Sequence, residues 1–247
     1  MDRMIYVAMT GAREAMRAQA SVSHNLANVS TIGFRQLREA LASAPVAGTG
    51  LATRVNPVNS PAGIEARPGT IQQTGRNLDI AIQGEGWLAV QDASGREVYT
   101  RAGNLRISAA GSLETAAGQT VLGSGGPVTI PPFESLYIGD QGQVSVVGLG
   151  QPPQALAEVA RLKLVSVDAT RLTPVGDGVY ALADGEAATP DATIRVASGQ
   201  LESSNVNVTE AMVQMIELGR QYELQVRAMK AAENADSSAA RLLRIAG

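Results

Sequence analysis

Apolar positions along this chain change their period twice. From residue 4 to about 28, Ile5, Ala8, Ala12, Ala15, Val22 and Leu26 recur every three or four residues, and Met9 and Met16 widen the stripe. That spacing predicts an amphipathic helix. Gly11 weakens it locally, since an internal glycine costs about 1 kcal/mol relative to alanine. The run ends in N-V-S-T-I-G-F, where β-branched residues disfavour continuation and Gly33 supplies the positive φ of a terminator. Between residues 77 and 196 the period falls to two. Leu78, Ile80 and Ile82 alternate with Asp79, Ala81 and Gln83, and Trp87, Leu88 and Val90 open a second strand. Further short runs at 97–100, 104–108, 112–115, 128–130, 143–147, 157–167 and 179–183 are separated by glycine turns. Beyond residue 207 the period lengthens again. Val208, Met212, Met215, Gly219, Tyr222, Val226, Met229, Ala240 and Leu243 keep a heptad register, broken by Glu233 and Asp236. Asn207, followed three residues later by Glu210, predicts a capped start. No proline follows, and a helix through Arg244 would be roughly 55 Å long at 1.5 Å per residue.

These segments predict an α+β chain. The long N- and C-terminal helices form a paired, coiled-coil-like helical domain from residues 1–35 and 200–247. Residues 77–199 form an inserted, mainly antiparallel β domain of barrel or sandwich type, because short strands with glycine turns at roughly eight-residue spacing favour those architectures. Residues 36–76 read as an extended connector, punctuated by Pro45, Pro57, Pro61 and Pro68 with Gly48, Gly50, Gly63 and Gly69 between them. The C-terminal stripe outruns its N-terminal partner by about ten residues. Part of it therefore either packs within the chain or is left for neighbouring subunits; the excess length favours the neighbours.

Composition narrows the chemistry. The 247 residues carry a net charge of −3, which gives no basic field for nucleic acid. Cysteine is absent, which removes disulfides and thiolate chemistry, and the single histidine, His24, leaves little for a metal site or a catalytic relay. No window approaches the length of a membrane span, so direct membrane insertion is not expected. The N-terminal apolar run is short and is followed at once by Arg13 and Glu14, unlike a cleaved secretion signal. Gly84-Glu85-Gly86 and Gly123-Ser124-Gly125-Gly126 lack the spacing of a nucleotide-binding loop and read as turns. Asp79, Glu85 and Asp92 read as a solvated strand face rather than paired catalytic carboxylates, and no cofactor is called for. An enzyme would need a concave polar pocket around Asp79, Glu85 and Arg101.

Ser23 to Arg35, S-H-N-L-A-N-V-S-T-I-G-F-R, resembles the N-terminal signature of bacterial flagellar rod and hook proteins; Asn25, Asn28, Thr31, Gly33, Phe34 and Arg35 carry the match. The stretch from Thr74 to Trp87 is similar to that family's entry into its β domain, and Tyr99-Thr100-Arg101-Ala102-Gly103-Asn104 to its next motif. Gly199 to Asn207 resembles its C-terminal entry. The resemblance spans essentially the whole chain. It implies a structural, non-enzymatic subunit of the basal-body rod, exported by the flagellar type III apparatus without signal cleavage. Such a subunit polymerises through its terminal helices into a hollow, torque-transmitting shaft that forms part of the export channel. The chain's opening and modest length are most similar to the proximal rod member, with the distal rod member as near neighbour; a soluble periplasmic adaptor and a β-domain hydrolase are the remaining alternatives. Self-association and contact with other rod proteins are implied, through an interface of Ile5, Met9, Ala12, Met16, Asn25, Asn28, Gly33, Phe34, Met212, Met215, Gly219, Tyr222, Val226 and Met229.

Overall fold

The computed structural model describes residues 2–45, 55–152 and 154–245, and within them the chain forms two compact units. Gly48 and Gly50 of the expected connector lie outside the described residues, as does the side chain of Leu243. The first unit holds α1 (Asp2–Ala27), most of the paired strands β1 (Leu37–Pro45) and β2 (Val55–Ile64), and the C-terminal helix α2 (Val208–Ile245). The N-cap of α2 forms at Asn207, but Glu210, expected as its reciprocal partner, turns to Gln214. The Asn207 side chain accepts from the backbone N–H of Thr209 at 3.0 Å and of Glu210 at 3.4 Å, while the Glu210 carboxylate accepts from Gln214.

The second unit, Asn28–Gln36 with Gly63–Val206, is built almost entirely of short strands. In chain order they are β3 (Ile71–Gln73), β4 (Ile80–Gln83), β5 (Trp87–Gln91), β6 (Glu97–Thr100), β7 (Leu105–Ile107), β8 (Leu113–Thr115), β9 (Thr120–Gly123), β10 (Gly126–Pro127) and β11 (Phe133–Ile138). They continue with β12 (Gln143–Gly148), β13 (Leu156–Arg161), β14 (Leu164–Val165), β15 (Leu172–Gly176), β16 (Val179–Leu182), β17 (Arg195–Ser198) and β18 (Gln200–Glu202). A nine-stranded sheet runs β15-β16-β6-β5-β9-β8-β7, with β10 on β9 and β14 on β5. A three-stranded sheet, β11-β12-β13, and the pairs β17-β4 and β18-β3 complete the unit. Their inner faces meet in one core that includes Ile80, Leu88, Val90, Val98, Leu105, Leu113, Val121 and Val144. β5 is buried along Trp87–Val90 because it is a central strand, flanked by β6 and β9.

The α+β class stands, but the architecture expected within it does not. Among the described residues there are two helices and several open, antiparallel sheets with no closed barrel. The large sheet ends at β15, where Pro174 lacks the N–H that a further strand would need, as suits an edge. The helices do not form a paired coiled-coil-like domain: they share their unit with β1 and β2, and their buried faces lack the large knobs a heptad seam requires. On α1 the buried apolar side chains are Ala8, Ala12 and Ala15. On α2 the covered stripe runs through Ala211, Met215, Leu218, Gln225, Met229 and Ala232. It shares Met215 and Met229 with the expected register, and Gly219 and Val226 are half-buried beside it, but Met212 and Glu233 are exposed where the residue before each, Ala211 and Ala232, is buried. Small residues decide this. Alanine lets α1 and α2 approach closely, and at Gly11 an added Cβ would lie 2.9 Å from the Gln225 side chain. Periodicity counted methionines as seam; packing selected alanines.

Close backbone approach also fixes the β-rich unit. A Cβ on Gly103 would lie 1.7 Å from the carbonyl oxygen of Ile80, whereas one on Gly125 would meet nothing within 4 Å. Backbone cannot yield as a side chain does. Gly103→Ala is expected to destabilise the protein by about 3 kcal/mol in urea unfolding, and Gly125→Ala by less than about 0.5 kcal/mol. Equal midpoints for the two variants would refute this account.

Candidate assembly interface

The helix-bearing unit leaves large apolar side chains in solvent. Met9 is 52% exposed and Met16, one heptad further along α1, 57% exposed, with Tyr6 one turn before them. On α2, Val208, Met212 and Ile216 follow at four-residue spacing, so they form one ridge along the helix. Met212 is 55% and Ile216 58% exposed; Val213 lies beside the ridge and Leu224 further along, 62% exposed. Val208, Met212 and Ile216 lie side by side, unlike apolar side chains scattered singly over a surface.

The sequence-derived interface residues fall into three groups. Met9, Met16, Met212 and Tyr222 are exposed. Ile5, Met215, Gly219, Val226 and Met229 are half-buried along the same two helices. Ala12, Asn25, Asn28, Gly33 and Phe34 are buried, the last three in the β-rich unit. Asn25 brackets Leu37, donating from Nδ2 to its carbonyl and accepting from its N–H, both at 2.9 Å. Asn28 donates to Asp177 at 3.3 Å and accepts from the Thr31 hydroxyl at 2.9 Å. Ile216 and Leu224 fell outside the heptad register and were not anticipated; a 3.6-residue period over 208–224 picks out Val208, Met212 and Ile216.

The β-rich unit is held together by charge in its interior, which the sequence did not signal. Glu202 is 1% exposed. One carboxylate oxygen bonds Arg35 at 2.7 Å and the Gly69 N–H at 2.8 Å; the other bonds Arg101 Nε at 2.7 Å. Two cations thus share one anion. The surplus charge is met by oriented carbonyls: Arg101 donates to Ile82, Gly84 and Gly86, and Arg35 to Arg67. Trp87 lies beneath Arg101, with the guanidinium 5.9 Å from the ring centroid, and meets Tyr180 edge-on. The Tyr180 hydroxyl accepts from the Arg35 N–H at 3.0 Å and donates to its carbonyl at 3.2 Å. Burial, reinforced by Arg101, lowers the pKa of Arg35 to about 10; burial raises those of Tyr180 and Tyr99 to about 12. Gly33 runs flat against this cluster at φ +68°, where a Cβ would lie 2.3 Å from the Arg101 carbonyl carbon.

Of the three residues around which an enzyme would need a pocket, Glu85 and Arg101 line one cleft of about 270 Å³ and Asp79 does not. Arg101 is consumed by Glu202 and the carbonyls, and Glu85 is exposed in a turn. Asp79 is only 4% exposed, not solvated as alternation predicts. It closes a turn, its N–H donating to Arg76 O, before the strand period begins, and its carboxylate lies 3.5 Å from Arg76 Nε.

Removing Glu202 leaves two buried cations without their anion. Glu202→Gln is expected to cost about 3–5 kcal/mol in chemical denaturation. Asp184→Asn, which breaks the exposed Arg171 pair, should cost less than about 1 kcal/mol. At high pH the tyrosines dominate. Their folded pKa values lie above the ordinary 10, so the stability they contribute is complete below pH 10 and is lost as pH rises through about 12. Arg35 acts in the opposite sense over that range, but it is one group against two. An ultraviolet absorbance titration should therefore find Tyr99 and Tyr180 ionising near pH 12 together with unfolding; ionisation near pH 10 in the folded protein would contradict their burial.

The chain is similar to known proteins over nearly its whole length. Residues 81–146 match the model of the flagellar hook protein FlgE/F/G D1 domain, and residues 197–242 that of the flagellar basal body rod FlgEFG protein C-terminal region. The chain is 40% identical to the flagellar basal-body rod protein FlgF of Salmonella typhimurium and 39% identical to that of Escherichia coli, in each case over 98% of this chain and 99% of the relative. It is 31% identical to the flagellar basal-body rod protein FlgG of Bacillus subtilis over 90% of this chain and 92% of the relative. These relatives are structural proteins rather than enzymes. The chain belongs to the flagellar basal-body rod protein family, with the features of FlgF, and is a structural subunit of the basal-body rod.

Proposed function

We propose that this subunit polymerises through the apolar ridges of its terminal helices into a hollow helical shaft. The observation that carries this reading is the set of large apolar side chains left open on both helices: Met9 and Met16 on α1, and Met212, Ile216 and Leu224 on α2. About half of each such side chain is already covered, so covering the rest is worth roughly 0.8–1.5 kcal/mol apiece, and a contact that repeats along the shaft and buries many of them offsets the cost of ordering a subunit. Packing the α1 ridge of one subunit on the α2 ridge of the next is a heterologous contact, which extends into a helical array where its rotation does not close. Ile5, Ala12, Met215, Gly219, Tyr222, Val226 and Met229 flank the ridges and shape their approach. Asn25, Asn28, Gly33 and Phe34 contribute by fixing the course of the chain after α1.

In this reading the shaft is the proximal part of the periplasm-spanning rod. It transmits torque by packing alone, surrounds part of the export channel, and continues into other proximal and distal rod proteins. The chain reaches its place through the flagellar type III export apparatus without losing a signal peptide.

An aspartate at Met16 or Ile216 would bury an unpaired charge in the assembly and none in the subunit. Met16→Asp and Ile216→Asp are expected to leave the unfolding free energy within about 0.5 kcal/mol of wild type. Both should abolish swimming in soft agar and remove the chain from purified basal bodies. Motile cells whose basal bodies contain either variant at the normal level would sink the proposal.

A further inference from the structure

Sulfur is unevenly placed in this chain. The sequence has no cysteine, and the β-rich unit has no methionine, so every sulfur lies in the helix-bearing unit. Met215 and Met229 are half-buried in the covered stripe of α2. Met9, Met16 and Met212 are each more than half open to solvent. All three stand on the apolar ridges of the terminal helices. Met9 and Met16 share one face of α1, and Met212 sits between Val208 and Ile216 on α2.

Packing does not require sulfur at these positions. Val208, Ile216 and Leu224 supply apolar area on α2 with side chains that peroxides leave intact. A thioether supplies comparable area, adapts its shape, and adds a reactivity the others lack. Its Sδ lone pair attacks one oxygen of a hydroperoxide. The S–O bond forms, the O–O bond breaks, and the departing hydroxide takes up the remaining proton and leaves as water. Sulfur is oxidised by two electrons and the peroxide is reduced by two. The product is a polar sulfoxide, which methionine sulfoxide reductases convert back.

The effect of that oxygen depends on its surroundings. On the free subunit the three groups face water, so the sulfoxide is solvated and the fold loses nothing. In a contact that covers the ridges, the same oxygen is buried among Val208, Ile216 and other apolar side chains that offer it no donor. We propose that Met9, Met16 and Met212 are a peroxide-sensitive modification site: their oxidation leaves the subunit folded but holds it out of the rod until the sulfoxides are reduced. This rests on the ridges being the assembly surface. Once covered, the thioethers are shielded, so the hold acts on free subunits and not on a finished shaft.

Hydrogen peroxide is the probe. On the purified full chain, peptide mapping by mass spectrometry should find Met9, Met16 and Met212 oxidised at least about fivefold faster than Met215 and Met229. The urea midpoint should not move while only those three are oxidised. Equal rates at all five, or unfolding in step with the oxidation of the three, would overturn the proposal. In cells lacking the reductases, unassembled chain is pulsed with peroxide, the peroxide is destroyed with catalase, and rod building is then induced. Chain recovered in the new basal bodies should carry sulfoxide at these positions at less than about a tenth of its frequency in the unassembled pool. Comparing molecules within one culture cancels damage to other proteins. Equal frequencies in basal bodies and pool would overturn the proposal. Failure of the assembly surface itself looks different: Met16→Asp would then enter basal bodies normally. Exclusion of Met16→Asp beside free entry of the sulfoxide form would defeat the modification site alone.

Discussion

The β-rich unit depends on one carboxylate. Glu202 stands at the end of the last strand of that unit and receives Arg35 from its first segment and Arg101 from its middle. Three stretches distant in sequence are thereby tied at one buried point. In low dielectric an arginine without a partner is costly, so each member specifies the position of the other two. The backbone has adapted to the same demand. Three carbonyls from residues 82–86 turn toward Arg101, and the chain at Gly33 passes close enough to the Arg101 backbone to exclude a side chain. A core of small aliphatic side chains is forgiving of register; a shared ion pair is not.

The helix-bearing unit follows a different rule. Its internal contacts are made by alanines and by the polar Gln225 over Gly11, which bury little area per residue. Met215, Leu218 and Met229 are half-covered, and Met9, Met16, Met212, Ile216 and Leu224 remain mostly outside. An isolated helix with one open apolar face is marginal in water, so such an arrangement gains its stability from neighbours. That division suits a rod subunit: a β-rich unit secured by its own charges, and helices whose strongest contacts are still to be made.

How much of this was legible depended on whether the information was local. The boundaries of α1 and α2 were legible to within two residues, because hydrophobic period and the Asn207 cap are local properties. Strands β6, β8, β12 and β16 were legible from alternation between glycine turns. Strands β1 and β2 read only as punctuated connector, and β9, β10, β17 and β18 were not read as strands although β9 and β17 are as long as β6 and β16. Asp79 was misjudged because it belongs to a turn, where alternation has no meaning. The heptad on α2 is real as a pattern, yet at Met212 and Glu233 the buried residue is the alanine one position earlier. Period says that a face exists. It does not say how far the face rotates when the opposing helix offers alanine rather than leucine.

The same limit applies to the functional residues. A sequence that alternates, caps its helices and places glycine at its turns determines by itself where secondary structure begins and ends, since those preferences act over a few residues. Its motifs were also enough to suggest the rod family. Only the tertiary structure decided that Arg35, Arg101 and Glu202 are buried and joined, that Asn25 holds backbone, and that Met212 and Ile216 face outward. The reason is physical. Burial and charge pairing are properties of the space a side chain occupies, and that space is furnished by residues tens to hundreds of positions away.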